Sequence, residues 1–354
     1  MKINVTRNPC PKAKPDQNTL GFGQYFTDHM FLMDFEIERG WQNPRIVPYA
    51  PLMLDPASMV LHYGQEVFEG LKAYRASNGD VQLFRAIENA RRFNNSNKRL
   101  SIPEIDEELF MDAMTQLVLV DMDWIPTLPD TSLYIRPFLV ATDPFLGVRS
   151  SERFLFIIIL SPVGAYYAGG MSPTKILVED EDVRAVRGGL GFAKTGANYA
   201  ATIRAQERAK TKGFTQILWL DAIERKYIEE VGTSNAFFVI DGTVVTPPLS
   251  GSILPGITRD SCIKLLKSFG IPIEERSIMI DEIISAANSG RLDEAFASGT
   301  AAVISPVGEL TYRDTTITIC QNTVGPIAQR LYDTLTDIQW GKAPDAFGWT
   351  TKIN

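Results

Sequence analysis

Histidine, cysteine and long apolar runs are what this chain has little of. Its 354 residues include two histidines, His29 and His62. A zinc site built on several imidazoles is thereby excluded, and a His-dependent triad would have to use one of these two. Each stands where apolar and polar residues alternate, so each reads as a hydrogen-bonded structural histidine. The three cysteines, Cys10, Cys262 and Cys320, are odd in number and form no CxxC pair, the usage expected of free thiols in a reducing compartment. The longest apolar run, residues 154–160, falls far short of the roughly 20 needed to cross a bilayer. The opening MKINVTRNPCPKAKPD holds no apolar stretch of the kind a secretory signal needs, so a cytoplasmic protein is expected. Basic residues are outnumbered as well, 35 Lys and Arg against 42 Asp and Glu. The chain offers no basic face to a nucleic acid.

What the chain does have is 45% hydrophobic residues, enough for packed cores, and a length that suits about two domains. Apolar periodicity predicts helices over 87–100, 106–120, around 198–212 and over 324–336. Strands are expected over 133–142, 153–160, 175–178, 215–220, 235–240 and 294–297. Asp241-Gly242 signals a hairpin. The acidic run at 179–182 reads as a solvated face, the usual fate of such runs, and no metal site is expected.

Gly188–Gly196, GGLGFAKTG, nearly spells a phosphate-binding P-loop, but Ala193 stands where glycine must precede the lysine. What remains is Lys194 embedded among Gly188, Gly189, Gly191, Ala193, Gly196 and Ala197. Small residues let a large ligand come close, and a sheltered lysine can bond covalently to a carbonyl. Downstream, Glu229 and Glu230 lead directly into an apolar strand, and an acid aimed inward there needs a cation partner. Glu230 is taken as the inward one and Glu229 as dispensable. Leu254-Pro-Gly-Ile-Thr258 opens a helix with Asp260 in its first turn, Gly270 past its end and Pro272 beyond. Its first amides suit a phosphate. Gly299-Thr300-Ala301 is a small-residue turn able to offer amides to an anion.

These pieces, in this order, resemble the branched-chain amino acid aminotransferases within the fold-type IV pyridoxal-phosphate enzymes. The matching stretches are FTDHM (26–30), LHYGQEVFEGLKAY (61–74), YIRP (134–137), GGLGFAKTGANYA (188–200), EVGTSN (230–235), PPLSGSILPGITR (247–259) and ASGTAA (297–302). The resemblance implies an α+β, two-domain fold like that of D-amino acid aminotransferase. A smaller N-terminal α/β domain would span 1–162 and a linker 163–172. A larger C-terminal pseudo-barrel domain, 173–354, would carry the cofactor lysine. The implied reaction is reversible transfer of the amino group of L-leucine, L-isoleucine or L-valine to 2-oxoglutarate, with pyridoxal 5′-phosphate as cofactor. The implied assembly is a homodimer whose active sites are completed across the interface. Same-fold alternatives are a D-amino acid transaminase, an (R)-amine transaminase or an aminodeoxychorismate lyase. LHYGQEVFEG and YIRP favour the branched-chain group, and the full catalytic set disfavours a mere binding module.

Residue by residue, Lys194 is similar to the lysine that binds the cofactor covalently and moves the proton from the substrate. Tyr199 resembles the partner of the phenolate oxygen, and Glu230 that of the pyridine nitrogen. Arg92 resembles the phosphate-binding arginine, with the amides of Ile257 and Thr258 completing the cup and Thr233 and Thr300 beside it. Helical phase lets only one of Arg91 and Arg92 face the cofactor. Phe22, Tyr63, Phe68 and Tyr134 resemble the aromatic walls of the side-chain pocket, with Tyr63 supplied by the neighbouring protomer. Thr300 and Ala301 resemble the turn that receives the α-carboxylate, and Arg136 the arginine that accepts glutamate's second carboxylate. Some family members carry a CxxC after this turn. Here those positions are Ala302 and Ser305, so regulation through thiols is not expected.

Overall fold

Apolar residues recurring along 132–141 and 153–163 build the two longest strands of a nine-stranded sheet in the computed structural model, which describes residues 1–164 and 171–353. Ser132–Ala141 and Arg153–Val163 pair antiparallel along their whole length, from Ser132 opposite Val163 to Ala141 opposite Phe154. Leu71–Arg75, Val81–Phe84 and Thr350–Lys352 extend the sheet on one side, and His29–Glu36, Gly40–Pro48 and Asn4–Val5 on the other. Glu66–Phe68 pairs separately with Ser132–Ala141. Two helices, Ala86–Arg99 and Glu107–Val120, contribute Phe93 and Phe110 to a core shared with Phe31 and Phe156. The second starts where expected because the Asp106 carboxylate accepts the Leu109 amide at 2.9 Å, with Glu107 and Glu108 favouring the positive helix end.

These elements make up one compact unit, Met1–Ala168 with Ala193–Gly196 and Asp337–Asn354. A second unit comprises Gly169–Phe192 and Ala197–Thr336. Its sheet closes on itself. In order round the ring run Ile228–Val231, Gln216–Leu220, Thr174–Glu179, Val303–Tyr312, Leu292–Gly299 and Ser234–Ile240, which pairs back to the first through Glu230 and Asn235. Such closure removes the free edges that an open sheet exposes. Ile176, Leu218, Phe238, Ala295 and Leu310 lie in the core of this unit. The hairpin expected at Asp241-Gly242 is present, both residues having positive φ, 49° and 74°. The interdomain linker expected over 163–172 lies largely outside the described residues.

Two expectations need correcting. The helix expected around 198–212 is split into Gly196–Ala200 and Ile203–Thr211, because Thr202 turns back to the Tyr199 carbonyl with both its amide and its hydroxyl. The acidic run is not simply a solvated face. Glu179 is buried, accepts the amides of Glu181 and Asp182, and is paired with Arg208 at 2.6 Å, which ties the run to Ile203–Thr211. His29 is structural as expected: Nε2 accepts the Asn8 amide and Nδ1 faces Asp121 at 2.6 Å. No helix of the described residues is long and apolar enough to cross a membrane.

One feature of the first sheet is costly. Lys72 sits opposite Tyr134 in register and is 6% exposed, and burial pushes its ammonium down to about 8. The unfolded chain binds this proton up to about 10.5, so stability should rise as pH increases from about 8 to 10.5. Below that window the full penalty, roughly 3 kcal/mol, applies. Lys72→Met should raise stability at neutral pH by up to that amount and flatten the rise, as measured by urea unfolding across the window. A rise that persists in the variant would assign it to another group.

Candidate active site

In the first unit the predicted residues gather round one short segment. The Lys194 amide donates to Ser96 Oγ at 2.9 Å, and its carbonyl accepts the Phe68 amide at 3.0 Å. On the next residues, Thr195 Oγ and the Gly196 amide donate to the Glu66 carboxylate. Burial raises the Glu66 carboxyl above its usual range, although Gly196, Thr195 and Arg136 oppose the shift. The backbone of the lysine is therefore held on both sides. Lys194 Nζ lies 4.7 Å above the Phe68 ring, and the Arg136 guanidinium lies 4.9 Å from the same ring and 5.3 Å from that of Tyr134. Phe22 meets Tyr134 edge-on at 5.0 Å. The Tyr134 hydroxyl, which accepts from Arg136 Nη2 at 3.2 Å, occupies space that a Cβ on Gly70 would fill. Arg136 Nε is buried and has no partner, an unmet donor in an aromatic enclosure. Tyr63 is not among these rings. It is 42% exposed on Met59–Tyr63, its hydroxyl donating to the Leu146 carbonyl.

The helix Ala86–Arg99 decides between the adjacent arginines. Arg92 is 8% exposed and grips Glu69 with two hydrogen bonds, at 2.7 and 2.9 Å, while Asn89 donates to the same carboxylate at 2.7 Å. Arg91 faces outward to Glu88 and Glu107. Burial pushes the Glu69 carboxyl up, but the charge and hydrogen bonds of Arg92, with help from Lys194 and Asn89, hold it below its usual range.

In the second unit Glu230, 2% exposed on Ile228–Val231, is the centre. Its Oε1 accepts from Asn235 Nδ2 at 3.2 Å and from the Leu254 amide at 3.0 Å. Its Oε2 is paired with Arg184 Nε at 3.0 Å. Leu254 leads into the helix Ile257–Ser268, whose first turn holds Ile257 and Thr258 and whose N-cap, Gly256, brings no side-chain cap. A Cβ on Gly256 would overlap Asn235 Oδ1, so this glycine lets the helix start against the strand that carries Asn235. Thr233 lies exposed in the turn after Val231. Thr300 and Ala301 lie half-buried in the turn after Leu292–Gly299. The two turns are neighbours, since the Cβ position of Gly299 is 2.8 Å from Ser234 Oγ. Tyr199 is half-buried on Gly196–Ala200.

Glu229 is not the outward-facing neighbour that alternation suggested. At 6% exposure it too is buried, with Ser252 Oγ donating to one oxygen and no partner for the other. It borders a cavity of about 290 Å³ that Arg187, Asp221 and Tyr227 help to line. Burial raises its carboxyl above the usual range. Sequence reasoning missed Glu69, Arg184 and Asn235 as partners. Two of them stood inside quoted motifs. The demand for a cation beside an inward acid was the available signal for Arg184. Among the described residues no group of three or more His, Cys, Asp or Glu is placed to hold a metal ion.

The sequence pattern of the family described as amino-transferase class IV matches residues 66–310. The chain belongs to the class IV aminotransferases. Within that family it is 58% identical over 351 residues to branched-chain-amino-acid aminotransferase 2 of Bacillus subtilis, a match covering 99% of this chain and 97% of that one. Among solved structures, the Escherichia coli branched-chain amino acid aminotransferase superposes with a TM-score of 0.78 at 28% identity, covering 92% of this chain and 99% of that one. The branched-chain aminotransferase of the thermophilic archaeon Thermoproteus uzoniensis, solved with norvaline, gives 0.75 at 27% identity, covering 92% and 100%. The two-unit α+β architecture with its closed six-strand sheet is that of this class IV fold.

Removing the charge of Arg92 should strand Glu69 as a buried carboxylate without its guanidinium. Arg92→Met is expected to cost about 3–5 kcal/mol in urea unfolding, against about 0.5 kcal/mol for Arg91→Met. Equal losses would mean that the pairing with Glu69 does not matter to the fold.

Proposed function

We propose that the chain catalyses reversible transfer of the amino group of L-leucine, L-isoleucine or L-valine to 2-oxoglutarate, giving branched-chain 2-oxo acids and L-glutamate, with pyridoxal 5′-phosphate as cofactor. The observation that carries this reading is the cluster round Lys194, where an amine and a guanidinium with an unmet donor share one aromatic wall. The residues fit the cofactor by chemistry. Its aldehyde, basic ring nitrogen and dianionic phosphate call for an amine, a buried carboxylate and a cationic cup, and the chain offers Lys194, Glu230, and Arg92 with the first turn of Ile257–Ser268. When bound, pyridoxal phosphate supplies the electron sink for the bonds at the substrate's Cα.

The chain's own residues do the rest. Lys194 Nζ holds the cofactor and carries the proton that leaves Cα. Glu230 favours the protonated ring nitrogen, and Tyr199 hydrogen-bonds the phenolate oxygen. Thr233 and Thr300 flank the phosphate, and the amides at Thr300 and Ala301 receive the α-carboxylate. Phe22, Phe68 and Tyr134 exclude water from an apolar side chain. Arg136 serves the one step in which that pocket must take a carboxylate instead, since a desolvated carboxylate needs a cation within reach. The same reading includes a cytoplasmic homodimer in which the exposed Tyr63 completes the partner's pocket. The exposed Met53, Leu61, Leu146 and Val148 support such an interface.

Borohydride trapping followed by peptide mapping should label Lys194, and Lys194→Ala should abolish both the label and turnover. A label on Lys210 or Lys226 would overturn the assignment. Arg136→Met should slow the glutamate half-reaction by roughly 2–4 kcal/mol, the scale of losing one partner of a buried charge pair. The leucine half-reaction, measured alone, should change much less. Equal losses would make Arg136 a holder of the α-carboxylate or of the pocket's shape.

A further inference from the structure

We propose that Arg184 is a positioning residue that holds Glu230 ionised and oriented, and thereby keeps the proton on the cofactor's ring nitrogen. The proposal rests on the reading that Glu230 faces that nitrogen. Arg184 is itself buried, and its Nε lies 3.0 Å from Glu230 Oε2, a charge contact without an aligned hydrogen bond at that nitrogen. Its Nη2 donates to two backbone carbonyls, those of Gly191, at 3.4 Å, and Ser252. Those carbonyls fix the guanidinium from behind. They can do so because position 191 is glycine, where any Cβ would overlap the Ser252 carbonyl. The Asn235 side-chain amide and the Leu254 backbone amide fix Glu230 Oε1, so each end of the pair has at least one backbone partner.

Two hydrogen-bond donors and a guanidinium converge on Glu230, and a carboxylate so surrounded is held in its charged form. Without the guanidinium, burial would favour the neutral acid. A neutral acid would then meet an unprotonated ring nitrogen, and the electron sink would be weaker. Arg184 lowers the basicity of the carboxylate beside it. A nitrogen bonded to that carboxylate is separated from the guanidinium by it, so the nitrogen's basicity falls less and the proton stays there. Glu229 shows that this is selective. It also lies near Arg184, but its hydrogen bond comes from a hydroxyl, one oxygen is unpaired, and burial drives it toward the neutral form. One guanidinium serves two buried carboxylates unequally, and Glu230 has the contact.

The test compares the affinity of the full-length chain, stripped of cofactor, for pyridoxal 5′-phosphate and for 1-deazapyridoxal 5′-phosphate, which lacks the ring nitrogen. The wild type should prefer the natural cofactor, and Glu230→Gln should abolish the preference. Arg184→Gln should cut it at least about tenfold, the scale of one charge-assisted contact, while Arg184→Lys retains most of it. If Arg184→Gln weakens both ligands alike and leaves the preference intact, Arg184 is only structural and the proposal fails. If instead Glu230→Gln leaves the preference unchanged, it is the reading of Glu230 that fails. A measurement that needs no Arg184 variant to fold is the infrared difference between the cofactor-free wild type and Glu230→Gln at neutral pH. It should contain an ionised carboxylate. A neutral carboxyl band there would overturn the proposal.

Discussion

A carboxylate taken out of water must have a cation beside it or give up its charge, and this rule organises both halves of the molecule. Glu69 meets Arg92, Glu179 meets Arg208, and Glu230 meets Arg184. In each case the arginine comes from another segment of the same unit, so the pair also fixes where that segment runs. Arg92 brings the helix Ala86–Arg99 onto the loop after Glu66–Phe68. Arg208 fastens the helix Ile203–Thr211 to the end of a barrel strand. Arg184 draws the glycine-rich stretch before Lys194 onto the strand of Glu230. Glu66, Glu229 and Glu294, for which the described residues show no ion pair, are acids whose carboxyls burial pushes up.

The aromatic enclosure and the charge pairs serve different ends. Phe68 and Tyr134 offer ring faces to Lys194 and Arg136, a surface that accepts an aliphatic chain and stabilises a cation equally well. On the proposed reading, that dual character lets leucine and glutamate side chains occupy one pocket in turn. The pairs, by contrast, hold positions constant while the contents of the pocket change.

Much of this was legible in the sequence, and the reasons differ by element. The strand Arg153–Val163 announced itself as an unbroken apolar run, the mark of burial on both faces, and the helix Glu107–Val120 through the clean period of one buried face. The hairpin at Asp241-Gly242 did so because both its residues adopt positive φ readily. Lys194 stood out through its small neighbours, and Arg92 could be separated from Arg91 only once the helix was seen to bury one side. Partnership between distant charges left almost no local trace. Arg184 lies 46 positions before Glu230, and nothing in either neighbourhood names the other. The break after Ala200 was hidden for the opposite reason: it depends on one hydroxyl of Thr202 turning back, a choice smaller than any periodic window.

The first unit is assembled from three pieces of chain, and the last of them includes the strand Thr350–Lys352 along Val81–Phe84. Those residues leave the ribosome only after the whole barrel has emerged. Domains usually fold in the order in which they leave the ribosome. Here the first sheet waits for Thr350–Lys352 until the second unit has been made, whereas Ala193–Gly196 emerges ahead of most of that unit. A chain cut short after the barrel would leave Val81–Phe84 as the unpaired border of that sheet.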